Sequence, residues 1–524
     1  MQTKNHNSLK NYFVVFLGIT LGVQPALAAS GLFPKMPAAP KVYVIDCQQD
    51  SGDARMTAWA LQGLVNQSLA EVYIIEKERP RHMEQLKDCG RPFEMLEPLA
   101  GNNAGLRTLF KKYQGRVKKM ILYDPKKDWT GYLALMEAAQ QGGIPVTESV
   151  KNDLTIEFNW KGNVEDFRYR WANRIEAYDW ALSNLMPGCN KQVVFTFWIP
   201  LPLIDYVVAS KGFVFGLDFN AERAEVQKIF GTRGYGVGTS LMGYDAKTQD
   251  KANEVSNPFG IGYVVSELYA NASFWSSYPD KTYKQTPGRA ISAVPGKIYV
   301  ALNWSDGDNL QFAQNAIWNL WHDPARGTIP VGTTSSPSLQ ELNTPLLDWY
   351  YANMTTNDEL MAYGIQFIYG NYFNENLFPA WCKLDKSWMH DAGFQTGFLW
   401  ATYPSPNFTT YANACGLTGI FKDGGSTWIR YDTGTPVMDE GRASWNPNDI
   451  YDWLSKIKPS QRTPIFIGFK CIVAGYTKDG MAGYTKIKQQ VDRLNATYPG
   501  RFVFMLPKDL FATIRSYCNL PASP

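Results

Sequence analysis

The sequence contains little histidine and no closely spaced cysteine pair, and these absences argue against two kinds of metal site. Four histidines and seven cysteines are scattered over 524 residues. Catalytic zinc sites usually rely on histidine ligands, and structural zinc sites on cysteine pairs a few residues apart. We therefore predict no bound metal ion, and we predict no cofactor.

A basic excess is also absent. Lysine and arginine number 51 against 48 acidic residues, and charged residues make up 19% of the chain. Nucleic-acid binding requires clustered positive charge, so we predict no nucleic-acid partner. Aromatic residues, by contrast, are plentiful, with 17 tryptophans and 29 tyrosines. Their flat faces with polar edges suit sugar rings, although large protein cores use them as well.

Long hydrophobic runs are absent except near the start of the chain. Lys4 and Lys10 precede an apolar run at 12–23, and the small-residue sequence Ala-Leu-Ala follows at 26–28. This order is typical of a secretory signal peptide, and the run is shorter than the roughly 20 residues that span a bilayer. We predict a signal peptide at 1–28, cleaved after Ala28, and a secreted or periplasmic protein with no membrane span after cleavage. An uncleaved anchor is the alternative.

Export would place the cysteines in an oxidising compartment, where some of them could pair. Cys382 and Cys415 are the candidate pair. The odd number of cysteines leaves at least one thiol unpaired in a monomer.

The N-terminal part of the mature chain shows short apolar strands that alternate with helical patterns. Strand-like segments at 41–46 and 71–76 flank a helical pattern at 55–66. Such alternation is typical of an α/β layer domain with a mostly parallel sheet. We predict this domain over 35–285.

A stretch rich in proline, serine and lysine at 277–296 separates this domain from a second one, which we predict over 290–520. Seven short strands are predicted there, separated by lengths that accommodate helices. This pattern predicts an irregular seven-stranded β/α (TIM-like) barrel, with an open doubly wound sheet as the alternative. The predicted strands are 297–303, 329–333, 360–366, 395–400, 416–422, 464–470 and 502–506.

The main functional candidate is the acidic turn SDGDN at 305–309, directly after the first of these strands. Sites in both architectures gather where strands end. Asp306 and Asp308 are close enough in sequence for one carboxylate to raise the pKa of the other, which would give a general acid beside an ionised partner. A hard cation is a second interpretation. The third is a polar turn whose residues, Asn309 included, cap the next helix.

Further candidates follow the other predicted strands. Asp423 follows the fifth strand, and Glu440 is predicted in the long loop after it, where its carboxylate could reach across the barrel mouth; both are candidate catalytic partners. A salt bridge is the alternative role for each. The candidate substrate-binding residues are Trp304, Asn309, Tyr369, Tyr372, Glu375 and Trp400.

Several short sequence segments, the acidic turn among them, resemble the GxGYxYP family of proposed glycoside hydrolases. They include WSDGDNLQ at 304–311, RGTIPVG at 326–332 and LDWYY at 347–351, with LQGLVN at 61–66 and NAS at 271–273 in the N-terminal half. The stretch FIYGNYF at 367–373, which corresponds to the motif that names the family, lacks its first glycines and its proline. The resemblance implies an N-terminal α/β domain, a C-terminal seven-stranded barrel-like domain, and sugar processing by a carboxylate pair.

We therefore predict a glycoside hydrolase that acts on a carbohydrate substrate with a carboxylate pair at the barrel mouth. Asp306 or Asp308 would supply one carboxylate, and Asp423 or Glu440 the other. The main alternative is a carbohydrate-binding protein without catalysis. A metal-dependent deacetylase would need His322 and His390 to converge on an aspartate.

Overall fold

The N-terminal half alternates strands with helices, as predicted, but its strands form three small parallel sheets. The computed structural model describes residues 31–76, 81–244, 249–399, 405–422, 429–430, 434–476 and 483–521. The sheet orders are β2-β1-β3, β5-β4-β6 and β10-β9-β7-β8. The strands are β1 (Ala38–Asp46), β2 (Ala70–Ile75), β3 (Phe93–Met95), β4 (Lys119–Leu122), β5 (Gly143–Val146), β6 (Asn163–Asp166), β7 (Val193–Thr196), β8 (Phe213–Phe215), β9 (Ser240–Gly243) and β10 (Gly262–Val265).

Helices of this half cover the three sheets. They are α1 (Gly52–Asn66), α2 (His82–Asp88), α3 (Ala104–Tyr113), α4 (Asp128–Gln141), α5 (Glu148–Phe158), α6 (Arg174–Asn184), α7 (Ile204–Ser210), α8 (Arg223–Phe230), α9 (Gln249–Ser256) and α10 (Ala272–Trp275). Helix α1 is central and almost entirely buried, and the Ser51 hydroxyl caps it by accepting from the Ala54 amide at 3.3 Å. Gly63 allows α1 to pack closely on α7, because a Cβ there would lie 2.2 Å from the Asp205 carbonyl oxygen.

A buried polar network joins α1, α7 and α10. The Asp205 carboxylate accepts from the Ser273 amide at 2.8 Å and from its hydroxyl at 2.7 Å, and Asn66 donates to that hydroxyl at 2.8 Å. Gln62 donates to the Asn271 side chain at 2.7 Å. Four of these residues belong to the family-like strings at 61–66 and 271–273, so that part of the resemblance reflects packing.

The C-terminal half forms a closed barrel of seven parallel strands, which confirms the predicted fold. The ring order is β11-β12-β13-β14-β15-β17-β18, and β18 pairs with β11 to close it. Strands β16 and β19 lie outside the ring. The strands of this half are β11 (Ile298–Trp304), β12 (Val331–Ser335), β13 (Asp358–Ala362), β14 (Thr396–Leu399), β15 (Gly419–Lys422), β16 (Ile429–Arg430), β17 (Val437–Ser444), β18 (Ile465–Cys471) and β19 (Phe502–Phe504).

Two strands differ from the prediction. Strand β17 lies in the ring between β15 and β18 but was predicted as a loop, because charged residues and a glycine interrupt its apolar pattern. The apolar run at 502–506 was counted as the seventh ring strand. It forms the short strand β19, which pairs only with the first residues of β11, while the last residues of β11 pair with β12. The ring therefore has the predicted number of strands with one member exchanged.

Helices α11–α20 follow the strands of this half, and from Leu32 onward the chain forms one compact unit. No helix in the described ranges is long and apolar enough to cross a membrane. The helices are α11 (Leu310–Phe312), α12 (Trp318–Leu320), α13 (Leu339–Leu342), α14 (Thr344–Asn353), α15 (Phe378–Asp391), α16 (Pro406–Ala414), α17 (Asn448–Leu454), α18 (Val473–Tyr476), α19 (Gly483–Thr497) and α20 (Pro507–Tyr517), with a π-helix at Ala313–Ile317 between α11 and α12.

All seven cysteines lie in the described residues, and none of them forms a disulfide. Cys382 and Cys415, the candidate pair, are both buried thiols, on α15 and directly after α16. The predicted signal peptide lies outside the described residues.

Candidate active site at the barrel mouth

The acidic turn leaves β11 at the barrel mouth, which we define as the end where Trp304, Lys422 and Cys471 complete their strands. Strand β11 is buried along its whole length. The Ser305 amide donates to the Cys471 carbonyl at 3.0 Å and so extends the pairing with β18 by one residue. Asp306 then reverses the chain with a φ of 67°, a conformation that aspartate tolerates better than most residues.

Gly307 fixes the turn against the neighbouring strand β12. Its amide donates to the Thr334 hydroxyl at 3.0 Å, and that hydroxyl donates to the Trp304 carbonyl at 2.8 Å. A Cβ at Gly307 would lie 1.8 Å from the Thr334 carbonyl oxygen, so no other residue fits without movement of the backbone. The two aspartates are thereby held on either side of a fixed residue.

The two carboxylates of the turn have different surroundings. One oxygen of Asp306 accepts from the Val473 amide, the first residue of α18, at 3.1 Å. Both aspartates are partly exposed at the mouth. Burial raises the pKa of Asp306. Burial, followed by the negative charge of Asp306, raises the pKa of Asp308 to about 7. Asp308 can therefore hold a proton near neutral pH and still reach solvent.

A lysine and a glutamate lie inside the barrel near the acidic turn. The Lys470 ammonium is 3.2 Å from a carboxylate oxygen of Glu440, and both side chains are almost completely buried. The other Glu440 oxygen accepts from the Asn303 amide group at 3.1 Å. The positive charge of Lys470 lowers the pKa of both Asp306 and Asp308, in opposition to burial. Lys470 is thus the cation that interacts with both carboxylates of the turn.

The structure corrects the predicted position of Glu440. It lies on strand β17, opposite Gly468 of β18, and is 1% exposed. It therefore does not extend from a loop across the mouth, and it contacts Lys470 in the barrel interior. Asp439, its neighbour, pairs with Lys422 at 3.6 Å. The acidic residues that hid this strand in the sequence make ion pairs with lysines of the adjacent strands, and Arg442 pairs with Asp449 of α17.

The predicted substrate-binding residues separate into buried and exposed groups. Trp304 is completely buried and packs edge-on against Tyr484, so it offers no face to a ligand. Asn309 begins α11, but its side chain makes no capping bond, so the helix-capping role does not apply to it. Asp423 and Trp400 lie outside the described residues and remain predictions.

The loop after β13 contains the remaining candidates and joins the two halves of the protein. Tyr263 of β10 and Phe367 exchange backbone hydrogen bonds of 3.0 and 2.6 Å, which places this loop against the third N-terminal sheet. Tyr369 is partly buried, its ring 5.8 Å from that of Tyr372. Tyr372 is 40% exposed, and Glu375 is exposed. Of the aromatic candidates in the described residues, Tyr372 is the most accessible.

The N-terminal half also reaches the mouth directly. Gln311 on α11, three residues after Asp308, donates to Glu267 at 3.1 Å, and Glu267 follows strand β10. The π-helix begins two residues after Gln311, and such irregular turns are frequent at functional sites. The carboxyl end of the third N-terminal sheet and the barrel mouth therefore lie next to each other.

His322 and His390 contact different parts of the fold, whereas a deacetylase would require them to converge on one aspartate. The His322 ring stacks on Trp349 at 5.0 Å, with its Nδ1 2.8 Å from the Trp318 carbonyl, and His390 lies exposed near the end of α15. Over the part of the chain that the structure describes, no cluster of three or more histidine, cysteine or acidic residues could hold a metal ion.

Fold and site together define a two-part α/β protein whose seven-stranded barrel has an acidic turn at its mouth. Three family models match it in sequence: "GxGYxYP_N second domain" at residues 117–189, "GxGYxYP third domain" at 198–277 and "GxGYxYP putative glycoside hydrolase C-terminal domain" at 296–438. The chain belongs to the GxGYxYP family, as its sequence strings suggest.

Among solved structures, a "putative hydrolase" from Bacteroides thetaiotaomicron is similar over nearly the whole chain. The TM-score is 0.78 at 18% identity, covering 93% of this chain and 97% of that one, which shows a shared fold. A 4-alpha-glucanotransferase from Thermococcus litoralis has a TM-score of only 0.29 at 10% identity, covering 42% of this chain and 40% of that one, and supports no argument. No curated protein sequence matches.

Two site residues, Lys470 and Asn303, were not singled out by the sequence reasoning. Each is the next-to-last residue of its strand, and the two are paired in register across β11 and β18. A polar residue in an otherwise apolar strand was the available signal, and it indicates an interior partner.

Proposed function

We propose that this protein is a glycoside hydrolase that cleaves its glycan at the barrel mouth, with Asp308 as the proton donor. One observation carries the proposal: Asp308 combines partial exposure with a pKa raised to about 7. A glycosidase needs a carboxylic acid that remains protonated near its working pH and can reach the oxygen of the leaving group. Membership in the family supports a carbohydrate as the substrate.

The surrounding residues support the same role for Asp308. When the acid releases its proton to the leaving oxygen, a negative charge appears on Asp308. Lys470 favours that charge, while Asp306 opposes it. Asp306 has the larger effect of the two, so it adds to the rise in pKa that burial causes at Asp308, and Lys470 limits that rise. Glu440 acts through Lys470, which it holds in the barrel interior, and Asn303 in turn donates to Glu440.

The reaction also requires a second carboxylate, as a base for water or as a nucleophile. Glu440 is buried against Lys470, so it is poorly placed for this role. Asp423 follows Lys422, the last residue of β15, in the sequence, and it remains our proposed partner. It lies outside the described residues.

We also propose that the protein is exported after cleavage behind Ala28. The chain packs into the fold within a few residues of this position. Leu32 and Phe33 are buried, and their amides donate to the Glu341 carboxylate at 3.3 and 2.9 Å. Intact-mass analysis of protein from the periplasm or medium would give the mass of a chain starting at Ala29; a full-length mass there would contradict cleavage.

The test is a screen for glycan hydrolysis that also measures binding. Wild type is compared with Asp308→Asn and Asp423→Asn on a panel of polysaccharides, with reducing ends and binding measured in parallel. We expect hydrolysis by wild type and loss of turnover with retained binding in both variants. Asp509→Asn, in the first turn of α20, serves as a control for an acid outside the mouth. Binding without hydrolysis by every form would favour the non-catalytic carbohydrate-binding protein.

A further inference from the structure

An exposed tryptophan follows the ring strand that the sequence did not predict. Trp445 comes directly after Ser444, the last residue of β17, and is 60% exposed. Strand β17 runs parallel to β18, so Trp445 leaves the barrel at the same mouth as the acidic turn. An indole that is mostly exposed forgoes a large part of its burial energy, and Trp445 does so beside a candidate active site.

Two adjacent amides connect the tryptophan to the acidic turn. The Ile472 amide donates to the Ser444 carbonyl at 2.8 Å, and the next amide, that of Val473, donates to Asp306 at 3.1 Å. In register, Ser444 pairs with Cys471, and Cys471 pairs with Trp304. Two strand spacings of about 4.8 Å therefore separate Ser444 from the end of β11. One or two sugar rings would cover this distance.

The backbone around Trp445 is held firmly. The Ser444 hydroxyl donates to the Asn446 carbonyl at 2.7 Å and accepts from the Asn446 amide at 3.1 Å, and it lies 3.0 Å from the Asp449 carboxylate. Gly475 of α18 packs against the tryptophan backbone, since a Cβ there would lie 2.2 Å from the Trp445 carbonyl oxygen. A side chain on such a fixed turn loses little backbone freedom when it binds a ligand.

We propose that Trp445 is a stacking platform for a pyranose ring of the glycan, one or two sugar positions from the bond that is cleaved. This inference rests on the proposed function for the location of the bond. An indole face packs against the apolar C–H face of a sugar, while the hydroxyls of the sugar remain in water or bond to polar neighbours. Arg442 and Asp449, an ion pair at 3.6 Å beside Ser444, provide polar neighbours of this kind.

The test measures affinity in a background that does not turn over. In Asp308→Asn protein, binding of a panel of tetra- to hexasaccharides from plant, microbial and animal glycans is measured by calorimetry. Trp445→Ala should weaken the tightest interaction about tenfold and Trp445→Phe by less, because phenylalanine keeps a smaller apolar face. Tyr517→Ala is the matched control: Tyr517 is 43% exposed and packs on Phe466, near the start of β18.

The outcomes separate this proposal from the proposed function. Unchanged affinity in folded Trp445→Ala overturns the platform. A tenfold loss in Trp445→Ala, together with no hydrolysis by wild type, supports the platform and overturns the hydrolase. Failure of wild type and of Asp308→Asn to bind any oligosaccharide overturns both. If Trp445→Ala lowers the melting temperature, the affinities of Trp445→Phe and Trp445→Leu are compared instead. Leucine keeps apolar volume without a flat face, so a platform requires tighter binding by Trp445→Phe, and equal binding by the two variants overturns it.

Discussion

Asp308 and Glu359 of the barrel both have a pKa raised to about 7, and their surroundings differ. Asp308 lies at the mouth, partly exposed, beside a second carboxylate. Glu359 lies near the opposite end, as the second residue of β13, and is completely buried. Its two oxygens accept from the Thr396 hydroxyl and from the Lys508 amide at the start of α20.

The difference shows that a raised pKa does not by itself identify a functional site. Glu359 holds strand β14 and helix α20 together, and burial raises its pKa as a consequence. Asp385 is similar, since it accepts from the Ile365 amide and the Tyr411 hydroxyl. Burial is the first cause of the raised pKa of both Glu359 and Asp308, and charged neighbours act on both, Lys508 and Asp509 on Glu359 and Asp306 and Lys470 on Asp308, so Asp308 differs chiefly because it is partly exposed at the mouth. Accessibility is therefore the feature that distinguishes the mouth as the candidate site.

The largest predicted effect separates Asp308 from Glu359 by activity. Asp308→Asn removes the proposed proton donor, and kcat/KM should fall by about a thousandfold, within the range for general acid catalysis, with little change in stability. Glu359→Gln should retain turnover but lose about 1–3 kcal/mol of unfolding free energy, because a buried donor loses its acceptor. Steady-state kinetics and urea unfolding of both variants measure these changes in activity and stability. Equal losses of activity in the two variants would contradict the different roles of Asp308 and Glu359.

The second effect concerns the charged pair in the barrel interior. Lys470→Met leaves the buried Glu440 carboxylate without its cation, and breaking such a pair costs about 3–5 kcal/mol. Adding Glu440→Gln should restore much of that stability, which is the matched control. The double variant should also show a higher pKa for Asp308, because a nearby positive charge is gone. Urea unfolding that shows no recovery in the double variant would contradict this account of the pair.

The same pair shows what the sequence could and could not reveal. Apolar runs identified six of the seven ring strands and located the acidic turn at the end of β11. Strand β17 escaped because Asp439, Glu440, Gly441 and Arg442 interrupt its apolar pattern. The charged residues among them pair with residues of other elements: Asp439 with Lys422, Glu440 with Lys470, and Arg442 with Asp449 on the following helix. Long-range pairing of this kind leaves no local pattern, so Glu440 was assigned to a loop and Lys470 was overlooked.

A smaller effect tests how firmly the acidic turn is held. Gly307→Ala places a methyl group against the Thr334 carbonyl, and relief of this clash must move the turn. We expect an activity loss of about tenfold and a stability loss of about 1–3 kcal/mol, typical of overpacking. Gly236→Ala is the control, because a Cβ there meets nothing within 4 Å. Kinetics and melting temperatures should change for the first variant and remain near wild type for the second.

The smallest effect is the dependence of stability on pH. In the described part of the chain, five carboxylic acids have a folded-state pKa raised to about 7, so between about pH 4 and 7 these groups bind more protons in the folded protein than in the unfolded chain. Stability should therefore fall as pH rises through this window. The melting temperature should be several degrees higher at pH 5 than at pH 8, and Glu341→Gln should reduce the difference. A higher melting temperature at pH 8 would contradict these shifts. The five are Asp205, Asp308, Glu341, Glu359 and Asp385.

The most direct test of the proposed acid is the pH profile of hydrolysis for wild type and Asp306→Asn on the same glycan. If Asp308 donates the proton, wild-type kcat/KM should decline with an apparent pKa near 7 on the alkaline side. Replacement of Asp306 removes a negative charge that raises the pKa of Asp308, so the decline should move to lower pH in the variant. An alkaline limb that stays in place, or moves to higher pH, would contradict the assignment of Asp308 as the acid.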